Sequence, residues 1–586
     1  MRIPLVLFLA LAACAPHTPR NNAPTQPVVA AAAPIVRGEA GPLVDDYLRR
    51  LEAYGMAGSM LVALGDEVVL QKGYGLADRA AAVPIGVDTP FVIGSLSKQF
   101  TAAAVVKLES QGKLSVDDRL ERFFPDAPAD KRGITVAQVL MHASGLPYLT
   151  DQDMMGEAPR TEMFAEMLRL PLEFAPGARY SYSSPGYSLL AGVIEAASGR
   201  TFEQYVAEEL FAPAGMTATG FMGEPRWDAA PTHSYSGSFD EGPMREFGRM
   251  DRGVGAGTVI TTPGDLWKWV QALRKDTVLP ASAREKLWTA HIPMAQPNVS
   301  HGYGWNVIDT PKGTIVGHAG DLGGYNADCR IYIERDMVLI FESNGRPSGP
   351  GYRDAVVNNV SLLLGGDPHP EPPSVQDVDA AALVGHAGTY TLPSGGHVEV
   401  RVEGARAQIS ADSQAGIALL AGAAADEGLA AELSATTAVV ADATARKDYA
   451  PMQTNLHASL PFAGMQAEFD AAIDELSGRL GPYQGTDVLG TAVVSPRSAR
   501  TYFRLRFERG SDIGAYGWIG GKIMAIDADL GRAGETVFAP ESADVLAAYD
   551  LFTGRAVRAT FVRDATGKTV AVRFSGPGGE VEARRG

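Results

Sequence analysis

Two pairs of residues in this chain have side-chain types and a spacing that could produce a nucleophile. Ser95 and Lys98 lie three positions apart in FVIGSLSKQF, where an extended segment is predicted to enter a helix. This spacing places both side chains on one face of the helix. A serine hydroxyl needs a base within hydrogen-bond reach, and a lysine amine can be that base. Gly94 favours a tight turn, which would leave the backbone N–H of Ser95 free to bind an oxyanion.

The second pair, Ser110 and Lys113, has the same spacing in a different context. It lies in LESQGKLSVDD, a polar turn in which Gly112 is placed just past the end of the predicted helix. Such a turn does not hold a serine and a lysine on one helical face. We therefore interpret the second pair as a coincidence and expect Ser95 to be the nucleophile.

The sequence VGHAG occurs twice, at residues 316–320 and 384–388, and each copy supplies a histidine. The first copy precedes DLGGYNADCRIYI, which has the pattern of a core strand. The second copy precedes TYTLPSGGH, the pattern of a hairpin in another domain. An imidazole has an ordinary pKa of about 6.5, so a catalytic histidine could make activity depend on pH.

Composition limits the kinds of partner that the protein can have. The chain has 586 residues, enough for two to four domains, and 46% of them are hydrophobic. Its net charge is −17, and the sequence contains no long basic run. These features argue against a nucleic-acid partner and indicate a globular protein with an acidic, solvated surface.

The N-terminus has the pattern of an export signal. Residues 1–13 carry one positive charge followed by a short apolar run. The residues before Cys14 resemble the lipobox of bacterial lipoproteins, which implies that Cys14 is lipidated and anchors the protein to the cell envelope, facing the periplasm. An ordinary secretory signal is the alternative. Residues 14–42 are predicted to be a flexible tether. The other cysteine, Cys329, lies in an apolar run and is expected in the core.

The next part of the chain predicts an α+β domain over residues 43–366. A hairpin is predicted around Gly65-Asp66, and strand-like runs flank turns at Gly323-Gly324 and Arg335-Asp336. Helical and loop segments lie between these two groups of strands. This order indicates an antiparallel sheet, assembled from both ends of the domain and flanked by helices.

A Pro-rich linker at residues 367–380 separates this domain from a β-rich region, residues 381–586. Its alternating strands predict either one interrupted, lipocalin-like barrel or two small barrels. A helix is predicted near 464–477, where Met465, Phe469 and Ile473 recur at helical spacing. We expect this stripe to be core or packing surface.

Ser95-Leu96-Ser97-Lys98 and five further segments in the same order resemble the serine β-lactamase and DD-peptidase superfamily. The resemblance is to its class C β-lactamase-related branch, which includes esterases and D-aminopeptidases, and it covers roughly residues 43–366. In this branch the third catalytic element is Lys/His-x-Gly, on an edge strand. The other segments are ITVAQVLMHASGLP with His142, PGARYSYSSPGYSLLAGVIEAASG with Tyr182, GAGTVITTPGDLWKW, HGYGW, and His318-Ala319-Gly320.

This resemblance implies a role for each site residue. Ser95 would form the acyl-enzyme, and either Lys98 or Tyr182 would be the acylation base. Tyr182 would also protonate the leaving group, and His318 would hold the hydrogen-bond chain in place. The backbone N–H groups of Ser95 and Asp321 would bind the oxyanion. The resemblance therefore assigns the first VGHAG copy to the active site, and we expect His386 of the second copy in a surface turn.

One position departs from the family pattern. The family motif is Tyr-x-Asn, but this chain has Ser184 in place of the asparagine. A serine hydroxyl is shorter than an amide and binds an amide substrate less well, which favours esters over β-lactams. His142 is expected to be a packed, hydrogen-bonded histidine. The histidine spacings predict no metal site, and we expect no cofactor.

The sequence therefore predicts a lipid-anchored serine hydrolase that cleaves a small ester, amide or D-amino-acid peptide through a Ser95 acyl-enzyme. Gly320, Asp321 and Ser184 are its predicted oxyanion and substrate-binding residues. Two alternatives stay open. One is β-lactamase or DD-carboxypeptidase activity, and the other is a non-catalytic envelope protein that retains the fold for binding.

Overall fold

The computed structural model of the protein describes residues 33–149, 154–236, 239–345, 352–422, 426–457, 462–495, 497–527, 530–551 and 553–586. The predicted signal peptide, Cys14 and most of the predicted tether lie outside these residues. The described chain divides into two compact units, one ending at His369 and the other beginning at Pro370. Among the described residues, no helix is both long enough and apolar enough to cross a bilayer.

The first unit contains strands from both of its ends, as the sequence predicts. Its strands are β1 (Ile35–Val36), β2 (Gly58–Leu64), β3 (Glu67–Tyr74), β4 (Leu76–Asp78), β5 (Val83–Pro84), β6 (Phe91–Val92), β7 (Gly220–Phe221), β8 (His233–Ser236), β9 (Phe239–Pro243), β10 (Val259–Thr261), β11 (Ile292–Pro293), β12 (Val299–His301), β13 (Asn306–Thr310), β14 (Gly313–Leu322), β15 (Tyr325–Tyr332) and β16 (Met337–Ser343).

The helices of the first unit lie mainly between these two groups of strands. They are α1 (Ala40–Ala53), α2 (Lys98–Ser110), α3 (Ala129–Arg132), α4 (Val136–Leu140), α5 (Arg160–Arg169), α6 (Ser184–Ser198), α7 (Phe202–Val206), α8 (Ala212–Ala214), α9 (Pro263–Arg274), α10 (Ala281–Trp288) and α11 (Tyr352–Leu364). A 3-10 turn, Gly94–Ser97, leads directly into α2.

A nine-stranded antiparallel sheet joins the two groups of strands in the order β1-β3-β2-β16-β15-β14-β13-β12-β11. β2 pairs with β16, so strands from both ends of the domain meet there. Turns occur at Gly65, Gly323 and Asp336, all with positive φ, as predicted. The α+β fold with an antiparallel sheet flanked by helices is confirmed.

Helices cover both faces of this sheet. Phe341 contacts Tyr352 of α11, whereas its neighbour Ile340 belongs to the large apolar core that also contains Phe100 of α2. Successive residues of a strand point to opposite faces, so α2 and α11 lie on opposite sides of the sheet. Helix α2 is buried on almost every side, which is why its sequence is apolar with no polar stripe.

The structured body begins earlier than the sequence predicted. Ile35 and Val36 pair with β3, and α1 begins at Ala40, although residues 14–42 were expected to be a tether. The predicted tether is therefore too long at its C-terminal end. Composition did not reveal this because a two-residue edge strand needs only backbone hydrogen bonds, not an apolar run.

The second unit is a closed antiparallel barrel, interrupted by an insertion, so the single-barrel alternative is the correct one. The barrel strands are β17 (Gly388–Thr391), β18 (His397–Glu403), β19 (Arg406–Ala411), β24 (Thr536–Pro540), β25 (Val545–Asp550), β26 (Arg555–Arg563), β27 (Thr569–Gly576) and β28 (Gly579–Arg585). A short helix, α12 (Ala380–Val384), precedes them.

The insertion lies between β19 and β24 and has its own core. Leu433, Phe469, Phe503 and Trp518 are buried together there, so the predicted apolar stripe that includes Phe469 is core. Its elements are α13 (Gln414–Leu420), α14 (Glu427–Ala445), α15 (Ala450–Asn455), α16 (Phe462–Leu480), β20 (Tyr483–Ser495), β21 (Ser498–Phe507), β22 (Gly510–Ile519) and β23 (Lys522–Asp527).

The second VGHAG copy lies in the barrel unit, where His386 does lie in a turn, but our expectation that it lies on the surface is wrong. His386 is 1% exposed, and its ring stacks on Phe561 with 3.9 Å between ring centres. Its Nε2–H donates to the carbonyl oxygen of Ala543, and its Nδ1 accepts from the hydroxyl of Thr569. The side chain therefore fills a polar position in the barrel core.

Candidate active site

Ser95 and Lys98 are held together at the start of α2. Lys98 is fully buried, and its Nζ donates to the Oγ of Ser95 at 3.0 Å and to the carbonyl oxygen of Ala256 at 2.7 Å. Gly94 has a φ of +49°, which the tight turn from β6 requires. Ser95 itself is partly exposed, whereas Gly94 and Leu96 are buried. The arrangement gives a serine hydroxyl that is open to a ligand and touches a fixed amine.

Tyr182 lies next to both Lys98 and Ser95. Its ring centre is 4.9 Å from the Nζ of Lys98, and its hydroxyl is hydrogen bonded to Ser95. Desolvation raises the pKa of Tyr182 well above its ordinary value of 10. The phenol therefore carries its proton at neutral pH and can donate a hydrogen bond or a proton.

The segment that carries Tyr182 is positioned by His142. This histidine is 1% exposed, and its Nδ1 accepts the backbone N–H of Ser183 at 3.0 Å. The Oγ of Ser183 in turn caps α6 by accepting from the N–H of Gly186. His142 is thus packed and hydrogen bonded, as the sequence led us to expect.

His318 lies on β14, close to Tyr182. Its Nδ1–H donates to the carbonyl oxygen of Ala319 at 2.6 Å, and its ring centre is 6.5 Å from that of Tyr182. Burial, together with His301 and Lys98, lowers the pKa of His318 to about 3. The imidazole is therefore neutral at physiological pH, and its Nε2 lone pair can only accept a hydrogen bond.

The strand that carries His318 is an edge strand along only half of its length. The pairing of β14 with β13 ends at Gly317. From His318 to Leu322 the strand faces the Ser95 turn instead, and a β-carbon on Gly94 would lie 2.5 Å from the carbonyl oxygen of Asp321. The backbones of Gly94–Ser95 and Gly320–Asp321 are therefore in direct contact. The N–H groups of Ser95 and Asp321 must lie this close together if both are to bind one oxyanion.

A small cavity connects the remaining predicted residues. Ser184, predicted to bind substrate, lies on its wall. Among the described residues, no group of three or more His, Cys, Asp or Glu is placed to hold a metal ion. The cavity is lined by Gly94, Ser95, Met154, Ser184, Met250, Ala256, Gly257, Asp321 and Leu322.

Sequence reasoning missed three residues of this site. His301, from the HGYGW segment, has its ring centre 6.3 Å from that of His318. Ala256 supplies a backbone carbonyl to Lys98, and Arg353 binds the carboxylate of Asp321. His301 could have been found, because it stands where the family pattern has tyrosine. The other two contacts join segments far apart in the chain, and no local pattern marks them.

Several known proteins are similar to this chain in sequence. The chain is 28% identical over 382 residues to penicillin-binding protein 4* of Bacillus subtilis (strain 168), covering 61% of this chain and 84% of that protein. It is 29% identical over 279 residues to the D-aminopeptidase of Brucella anthropi, covering 46% and 52%. It is 30% identical over 209 residues to esterase EstB of Burkholderia gladioli, covering 32% and 53%.

The family model named Beta-lactamase matches residues 44–362, more than half of the chain and nearly all of the first unit. The matched range contains the Ser95 turn, Tyr182 and His318. The chain therefore belongs to the Beta-lactamase family, within the serine β-lactamase and DD-peptidase superfamily.

Proposed function

We propose that this protein hydrolyses uncharged carboxylic esters through an acyl-enzyme on Ser95. The observation that carries the proposal is the contact between the Nζ of Lys98 and the Oγ of Ser95 at 3.0 Å, within a site that also contains Tyr182 and His318. A serine that only bound a ligand would not need a buried amine on its hydroxyl.

In acylation, Lys98 acts as an uncharged amine: the Oγ of Ser95 attacks the ester carbonyl carbon, and its proton passes to the lone pair of the Lys98 Nζ. Lys98 is the base because the buried phenol of Tyr182 holds its own proton too tightly to act as a phenolate. The backbone N–H groups of Ser95 and Asp321 stabilise the oxyanion. The C–O bond to the alcohol then breaks. Tyr182 delivers its proton to the departing oxygen and receives the serine proton from Lys98, so that neither side chain is left charged.

In deacylation, water attacks the acyl carbonyl and Ser95 leaves as its hydroxyl. The proton released by the water passes through Tyr182 to Lys98, and Lys98 gives it to the departing Oγ of Ser95, the reverse of the acylation route. The neutral His318 lies beside Tyr182, with 6.5 Å between the ring centres, and helps to hold the ring that carries the hydroxyl. Its role is positional, because an imidazole with a pKa of about 3 supplies no proton at neutral pH.

The charge of the cavity supports a neutral substrate. Among the described residues that line it, the serines aside, Asp321 alone has an ionisable side chain, and Arg353 binds that carboxylate at 2.8 Å. A D-aminopeptidase substrate carries an ammonium group, and a penicillin carries a carboxylate. Among the described lining residues, no cation could pair with a carboxylate, and the one carboxylate that could pair with an ammonium, that of Asp321, already binds Arg353. Burying an unpaired charge is costly. Met154, Met250 and Leu322 instead offer apolar contacts to an acyl or alkyl chain.

The test compares the purified protein with Ser95→Ala and with Ser110→Ala, the serine of the other Ser-x-x-Lys pair. Each is exposed to a fluorophosphonate, p-nitrophenyl butyrate, D-alanine p-nitroanilide and benzylpenicillin. We expect the fluorophosphonate to add one label to the parent and to Ser110→Ala, and none to Ser95→Ala. Butyrate ester hydrolysis should follow the same pattern and exceed anilide hydrolysis by at least about 100-fold.

Other outcomes point to the alternatives. Faster turnover of the anilide would favour a D-aminopeptidase, and a penicilloyl adduct or penicillin turnover would favour a DD-peptidase or β-lactamase. If the folded parent reacts with none of the four reagents, the acyl-enzyme mechanism is wrong and a binding function takes its place.

We also propose that the protein is exported and carries a lipid on Cys14, facing the periplasm. The support is the lipobox-like sequence before Cys14 and the Pro- and Ala-rich residues that follow it. Intact mass of the protein from a bacterial membrane fraction tests this. The mass of a diacylglyceryl group on the parent, lost in Cys14→Ser, is expected, whereas an unmodified mass starting after residue 13 or later would refute the anchor.

A further inference from the structure

Arg353 reaches the oxyanion strand from the face of the sheet opposite to Ser95. It stands in the first turn of α11, and its side chain is 13% exposed. Its Nη1 donates to the carbonyl oxygen of Gly320 at 3.2 Å and to the carboxylate of Asp321 at 2.8 Å. One guanidinium therefore binds both residues of the Gly320–Asp321 peptide, the peptide that lies next to Ser95.

The Gly320 carbonyl and the Asp321 N–H belong to a single planar peptide group. In a trans peptide these two groups point in opposite directions. The Gly320 carbonyl points to Arg353, and the backbone nitrogen of Asp321 lies against the turn at Gly94. A cation on the carbonyl oxygen polarises the peptide and makes its N–H a stronger donor.

Arg353 also neutralises a charge that would oppose catalysis. The carboxylate of Asp321 lies one residue from the peptide that would bind a developing oxyanion, and like charges at such a distance repel. The ion pair with Arg353 cancels that repulsion. The same side chain thus strengthens the donor and removes an unfavourable field.

Anchoring of α11 does not by itself explain this contact. Arg330 of β15 already binds the helix through Asp354, and Arg335 binds it through Ser361 near the other end. Asp354 also binds Arg353, so the arginine belongs to a buried charge network. Within that network, Arg353 is the arginine that contacts the Gly320–Asp321 peptide.

We propose that Arg353 is a positioning residue that orients and polarises the Gly320–Asp321 peptide for oxyanion binding, an inference that rests on the proposed acyl-enzyme mechanism. It touches neither the substrate nor Ser95 and acts through the peptide. Removing an oxyanion donor outright costs about 100- to 1,000-fold in kcat, so weakening one is expected to cost about 10- to 100-fold.

The test uses full-length Arg353→Met, Arg353→Lys, Asp321→Asn and the double variant Arg353→Met/Asp321→Asn. The matched control is Arg335→Met, which removes an arginine that binds the same helix but not the peptide. Ester kinetics are normalised to the fraction of sites that a fluorophosphonate labels, so that loss of folded protein is not counted as loss of catalysis.

We expect kcat to fall about 10- to 100-fold in Arg353→Met, with KM changed less than threefold. Arg353→Lys should recover part of the loss, because it keeps the charge. The double variant should be faster than Arg353→Met, since the repelling carboxylate is gone. Arg335→Met should stay within about threefold of the parent. Asp321→Asn measures the effect of removing the carboxylate by itself, which is needed to interpret the double variant.

The infrared band of the acyl-enzyme carbonyl separates positioning from a merely structural role. A cinnamoyl ester, with and without ¹³C at its carbonyl, acylates Ser95, and oxyanion donors lower the frequency of that carbonyl. In Arg353→Met the band should move up towards that of the acid-denatured adduct, whereas Arg335→Met should leave it in place.

An unchanged band and unchanged kcat in the folded Arg353 variants would overturn this proposal. If Arg353→Met does not fold, the lysine and double variants decide the question by the same two measurements. If the parent itself forms no acyl-enzyme, the proposed function has failed. An acyl-enzyme whose carbonyl frequency is the same in the parent and in Arg353→Met would instead refute only the role of Arg353.

Discussion

Gly320 lies so close to Ile93 that a β-carbon on Gly320 would overlap the Ile93 carbonyl oxygen. The same β-carbon would lie 2.6 Å from the backbone nitrogen of Leu96 and 2.8 Å from that of Ser95. Gly320→Ala must therefore push β14 away from the Ser95 turn. We expect ester kcat/KM to fall at least about 100-fold, because the strand carries an oxyanion donor.

Gly133→Ala is the matched control for that substitution. A β-carbon there would meet nothing within 4 Å, and its φ of −79° suits any residue. Steady-state kinetics and the unfolding temperature are measured for both variants. Parental activity in a folded Gly320→Ala protein would show that the close approach is not needed for catalysis.

Lys98→Met should abolish acylation while leaving the fold intact. The methionine is apolar and nearly the length of the buried lysine stem, but it cannot accept the proton of Ser95. The rate of fluorophosphonate labelling is expected to fall about 100- to 10,000-fold, the usual contribution of a general base. Lys113→Met, in the second Ser-x-x-Lys pair, should label at the parental rate. Equal losses in both variants would refute the assignment of Lys98.

The buried histidine His301 makes the stability of the first unit sensitive to acid. Burial lowers the pKa of His301 to about 4, from an ordinary 6.5. Between these values the unfolded chain binds more protons than the folded one, so stability rises with pH through this range and is lost as the pH falls. At pH 4.5 this one group costs about 2–3 kcal/mol of the free energy of unfolding.

His301→Gln should remove that contribution. The neutral amide does not titrate, although His142, His318 and Lys98 still face the same space. Urea unfolding at pH 7 and pH 4.5 gives the loss of stability for each protein. We expect the loss in the variant to be smaller by about 2–3 kcal/mol, and an equal loss would show that His301 does not account for it.

Replacing each VGHAG histidine with alanine should change a different property: the stability of the barrel for His386 and the rate of labelling for His318. His386→Ala removes a ring that stacks on Phe561 and leaves the Thr569 hydroxyl without its partner. A loss of about 3 kcal/mol in barrel stability is expected. Hydrogen exchange should therefore speed up in peptides that contain β17 and β27.

His318→Ala should instead slow fluorophosphonate labelling and leave exchange in the barrel peptides unchanged. The imidazole lies beside Tyr182 in the first unit, so its loss disturbs the orientation of that hydroxyl. Slower labelling in His386→Ala with a stable barrel, or parental labelling in His318→Ala, would contradict the assignment of the first copy.

The contact between Ser95 and Lys98 was predictable because a helix brings residues three positions apart together whatever surrounds it. The antiparallel sheet was predictable too, since strands and turns have a local pattern. His386 was misjudged because burial depends on Phe561 and Ala543, which lie far along the chain. Arg353 was missed for the same reason, as its contact with Gly320 crosses from α11 to β14.

The interrupted barrel has a consequence for the order in which the chain assembles. β19 pairs with β24 across residues 412–535, and β17 pairs with β28, the last strand of the chain. Contacts between such distant residues form slowly, because closing a long loop costs chain entropy before the strand pairing can stabilise the structure. The insertion, with its own core, can fold during synthesis and bring the ends of β19 and β24 together. β17, β18 and β19 can pair with one another as soon as they are made. The outer edges of this three-stranded sheet lack partners until β24 and β28 have been synthesised, so barrel closure follows the synthesis of β28.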